Sequence, residues 1–196
     1  MKSPYLNNSI LLGRIILPSI LCVLLIEYLE DNFWGFQFVL VFGIAIVLFN
    51  KQKVKHNYIA SFLLSIVLSF LVLFLSLGIS SGLYYFINDV LNVKINADSQ
   101  LLGKQINDLS FVISYGIIAP LLMFYSYGLL FKIDKSKTFK YIKWISIIVL
   151  LSLGMTNVLS SMDNSIPISW QLIMVLALQL ILYQEKIKIL FAPKRD

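Results

Sequence analysis

Arg14 is the first residue whose type points to chemistry. It lies about one helical turn inside an apolar run that begins at Ile10. A guanidinium at the centre of a membrane helix costs about 2.5–3.5 kcal/mol. Arg14 therefore either snorkels to the nearer headgroups along its aliphatic stem or faces a polar cavity or an anionic ligand. Its shallow depth favours snorkelling. Glu27 lies about three turns further along, too far to pair with it in one helix.

A serine stripe is the second feature. Ser61, Ser65, Ser69, Ser76 and Ser80 fall within a sector of about 100° at helical periodicity. Such a strip lets another helix approach closely, or lines a pore or a subunit seam. Gly78 and Gly82 form a small-xxx-small pair on a neighbouring face. Gln171 and Gln179 share a face of the last apolar run, while Asn157 and Gln37 sit near the ends of two others. Interhelical hydrogen bonds from such residues contribute about 0.6 kcal/mol each. Helix contact is the expected role for this whole set, with polar lining as the alternative.

Conventional catalytic constellations do not assemble. His56 is the single histidine and Cys22 the single cysteine, whereas a structural or catalytic zinc site takes three or four protein ligands. Asp and Glu are missing from the depths of the apolar runs, which argues against a carboxylate proton relay. A P-loop is also missing, so an ATP-driven role needs a second chain. No catalytic residue, metal ligand or cofactor site is assigned, and a non-enzymatic role is expected.

The elements that carry these residues are six apolar segments. They are expected at 10–26, 33–49, 58–87, 109–131, 141–159 and 168–183. The chain is 59% hydrophobic and 13% charged, with mean hydropathy +0.84. Soluble domains carry about 25% charged residues, so lipid is the expected solvent. Uninterrupted apolar runs exclude a closed barrel, whose strands alternate in and out. The expected fold is all-α, a single polytopic helical bundle over residues 1–196. The uncharged stretch 58–87 would measure about 45 Å, longer than a hydrocarbon core of about 30 Å. Segment 168–183 is short for a crossing. Pro18 and Pro120 interrupt two segments and predict kinks. The widest loop is expected between Asn88 and Asp108.

Charge sets the orientation. Lys51, Lys53 and Lys55 fill one gap, Lys132, Lys135, Lys137, Lys140 and Lys143 another, and Lys186, Lys188, Lys194 and Arg195 the tail. The opposite gaps hold only Lys94 and Lys104. The positive-inside rule then predicts six spans with both termini cytoplasmic, in the inner membrane. The net charge of +6 is read as contact with anionic headgroups rather than with nucleic acid. Partners are the bilayer and either further copies of the chain or another membrane protein. Alternatives are a pore or channel, of the kind that accompanies prokaryotic defence or CRISPR systems, and a membrane subunit of a small-molecule or lipid transporter. Abundant Ile, Leu, Lys, Asn and Phe suggest an AT-rich bacterial genome.

Overall fold

A computed structural model of the chain describes residues 4–29, 37–90, 100–159 and 168–191. Helices account for nearly all of them: α1 (Pro4–Leu29), α2 (Gln37–Phe49), α3 (Tyr58–Val90), α4 (Gln100–Ile113), α5 (Ala119–Leu130), α6 (Lys137–Leu159) and α7 (Ile168–Phe191). A π-helical turn, Ser114–Ile118, fuses α4 and α5 into one rod. Among the described residues the one β feature is an isolated bridge between Val54 and Phe131. Three helices are long and apolar enough to cross a membrane: Tyr58–Val90, Ile106–Leu130 and Lys137–Thr156. Ser9–Leu25 and Val39–Phe49 are shorter apolar helices.

Each expected segment contains a helix, but the bounds shift. α1 starts earlier than residue 10 and continues without interruption through Pro18. α2 begins at Gln37, and positions 33–36 lie outside the described residues. The expected loop from Asn88 to Asp108 is partly helical at both ends, since α3 runs to Val90 and α4 starts at Gln100. Within α4, Ile106 and Ser110, one turn apart, are buried while Lys104 and Asn107 are exposed, so the segment packs as a helix despite its polar composition. α7 extends to Phe191 rather than ending near 183. Its polar extension carries a Lys188–Glu185 pair at 2.7 Å, one turn apart.

The rods form a ring. With α4, the π turn and α5 taken as one rod, successive rods are neighbours, and α7 closes the ring by packing along α1. α6 packs on α7, α4 and the π turn rather than on α5. Ile46, Val47, Tyr127, Leu130, Met174 and Leu178 are fully enclosed at the centre.

α3 shows the physics of the assembly most plainly. Its five stripe serines are all buried, while Leu63, Val67 and Phe74 are each 58% exposed. That reverses the pattern of a water-soluble helix. It is the pattern lipid selects, because apolar side chains face hydrocarbon at no cost and hydroxyls find partners only inside the bundle.

Candidate functional site

The polar interior is built where α2, α3 and α5 meet. Gly43 on α2 faces the stripe so closely that an added Cβ would lie 3.2 Å from Ser69 Oγ and 3.3 Å from the Ile66 backbone. That approach lets the Ser65 hydroxyl donate to the Gly43 carbonyl at 2.8 Å. The same hydroxyl lies 2.9 Å from the Tyr127 hydroxyl, and Ser69 Oγ lies 3.0 Å from it. Tyr127 is fully enclosed, edge-on to Phe42 at 5.6 Å and stacked on Phe131 at 5.9 Å. Three helices are thus tied at one phenol.

One to two turns along α3 the interior changes character. A cavity of about 20 Å³ opens between Ser69, Ser76, Tyr115, Trp170 and Gln171, closed by Phe42 and Val72. That volume suffices for about one water molecule. Ser76 Oγ and Gln171 Oε1 have no hydrogen-bond partner among the described residues. Gln179, fully buried two turns further along α7, has neither amide atom partnered there.

The π turn explains how α7 docks at this level. The Ala119 N–H reaches back five residues to the Ser114 carbonyl. The next donor in that register is Pro120, which has no N–H. The Tyr115 carbonyl is left without an intrahelical donor and takes the Trp170 indole N–H at 2.8 Å instead. Ser114 Oγ in turn donates to the Ser76 carbonyl at 2.5 Å, fastening the same turn to α3. Gly116 permits the close approach of α6, since a Cβ there would meet the Leu151 backbone at 3.2 Å.

The residues singled out from sequence therefore separate into groups. Ser65 and Ser69 join the Tyr127 node, and Ser69, Ser76 and Gln171 line one cavity. Ser61 and Ser80 are buried on the same face of α3. Gly78 and Gly82 are exposed, with nothing within 4 Å of an added Cβ. Arg14 is exposed on α1 and joins none of these clusters. Asn157 and Gln37 belong to helix ends, and their side chains lie outside the described residues. Sequence alone does not single out three contributors: Gly43, Tyr127 and the buried Trp170. A phenol four residues from the end of an apolar run was the available signal for Tyr127, because its hydroxyl must find a partner when buried.

A second polar assembly lies at one end of the bundle. A 3₁₀ turn, Lys51–Lys53, leads into the bridge at Val54. There Lys55 N–H donates to the Leu130 carbonyl at 2.8 Å and Lys132 N–H to the Lys53 carbonyl at 3.0 Å. The Lys53 ammonium donates to the Leu182 carbonyl and stands 4.6 Å from the centre of the Tyr183 ring. Burial, then the neighbouring Lys186, holds the Lys53 pKa below its ordinary value. Gln184 bonds both Ser136 Oγ at 2.9 Å and the Asp134 carbonyl at 2.5 Å. The lysine-rich loops after α2 and α5 and the basic end of α7 are thereby knit together at one end of the bundle.

No group of three His, Cys, Asp or Glu side chains gathers among the described residues. No protein-family model, curated protein or solved structure matches the chain.

Proposed function

We propose that this chain is a six-pass inner-membrane protein with both termini cytoplasmic, and that it works without catalysis. It assembles through helix contacts, as an oligomer or as an accessory subunit of a membrane complex. The orientation is supported by the gathering of three basic segments at one end of the bundle, where the positive-inside rule places the cytoplasm.

One observation carries the assembly reading. Gly78, Ser81 and Gly82 expose a bare strip on α3, and a Cβ on either glycine meets nothing within 4 Å. Among the described residues nothing packs on this strip, in contrast to Gly43, Gly116 and Gly154, each of which admits a neighbouring helix. A small-xxx-small strip facing lipid is suited to a second transmembrane helix, whose backbone can approach closely there. The pore and transporter readings draw less support, because Ser65 and Ser69 spend their hydroxyls inside the bundle.

Crosslinking in native membranes tests the proposal. The chain is expected in a higher-order species that Gly78→Ile with Gly82→Ile disperses, while the fold survives. A solitary species at every concentration defeats it.

A further inference from the structure

We infer that the groove between the end of α5 and the start of α6 is a binding site for an anionic phospholipid. The groove has a volume of about 340 Å³. It exists because α6 packs on α4, the π turn and α7, leaving the Tyr125 and Leu129 face of the last turns of α5 uncovered among the described residues. Its walls are apolar, with Leu121, Phe124, Leu129 and Phe139 among them, and two cations, Lys135 and Lys143, complete its lining. Neither lysine forms an ion pair among the described residues. Lys143 instead lies 4.8 Å from the centre of the Trp144 ring, and Trp144 and Tyr141 are exposed beside it. Exposed aromatic rings of this kind mark headgroup depth.

The chemistry selects the occupant. An acyl chain matches the hydrocarbon walls, and a phosphate diester matches two ammonium groups without competing carboxylates. A zwitterionic lipid would bring its own cation against Lys135 and Lys143. A free phosphate would use the lysines and leave the apolar wall idle. Basic pockets between transmembrane helices on the cytoplasmic side take anionic headgroups in this way. The inference rests on the membrane placement proposed above.

The full chain in detergent, titrated with phosphatidylglycerol, phosphatidylcholine or inorganic phosphate and read by native mass spectrometry, provides the test. Phosphatidylglycerol is expected to be retained most strongly. Lys135→Gln with Lys143→Gln should weaken that retention roughly thirtyfold, from two surface-level cation contacts. Gly128→Leu should also weaken it with the charge intact, because the groove is open at Gly128 and an added side chain would fill it. Lys51→Gln with Lys188→Gln, equal in charge but outside the groove, should leave it unchanged. Equal retention of phosphatidylcholine, or full retention of phosphatidylglycerol by the Lys135/Lys143 variant, overturns the site. Phosphate binding as tight as the lipid's overturns it as a lipid site. Flotation with phosphatidylcholine vesicles separates the two readings: a chain that stays out of the bilayer removes both, whereas an inserted chain without lipid preference removes only this one.

Discussion

The node around Tyr127 and the cavity beside Gln171 lie on the same serine stripe, yet they are built differently. At the node, Gly43, Ser65, Ser69 and Tyr127 lock three helices with short hydrogen bonds and backbone contact. At the cavity, Ser76 and Gln171 border open space with polar atoms that have no partner among the described residues, and the same holds for Gln179 elsewhere on α7. The difference teaches that the α2–α3–α5 corner is where stripe hydroxyls find partners. The face that α7 presents holds its polar groups less tightly. A buried polar group stabilises only when its partner is present, and otherwise it costs free energy.

Substitutions can break or sharpen this contrast. Gly43→Leu should have the largest effect, a loss of about 3 kcal/mol, because a side chain there must push the α3 backbone away. Thermal unfolding in detergent would register it, with Gly13→Leu as a silent control where space is open among the described residues. Tyr127→Phe comes next. It leaves Ser69 without its phenol partner and should cost about 1 kcal/mol. A variant as stable as the parent would mean that the node is not what holds the corner. Gln179→Leu should have the opposite sign and the smallest size, a gain of about 0.5 kcal/mol, because it replaces an amide with neither atom bonded among the described residues. A clear loss there would erase the distinction between the two regions.

The helical segments were legible because apolar runs of this length leave the backbone few other ways to satisfy itself in lipid. The stripe was legible because five serines repeat near the helical period. Its partners were not. Gly43 carries no local signal that distinguishes it from Gly78, and only the neighbour in space separates a packed glycine from a bare one. The helical start of α4 was hidden by its polar composition. The π turn was half visible: Pro120 announced a break in the hydrogen-bond ladder, but the Trp170 indole that fills it comes from a helix 50 positions further along.

Composition and periodicity by themselves determined that this chain is helical, where its apolar segments fall, and which face of α3 is small and polar, since these follow from short-range backbone and solvation terms. Tertiary structure alone decided that Ser65 and Ser69 turn inward onto Tyr127, that α7 closes on α1, and that a lysine-rimmed groove remains between α5 and α6. Those outcomes depend on which surfaces meet, and no residue carries that information without its neighbours in space.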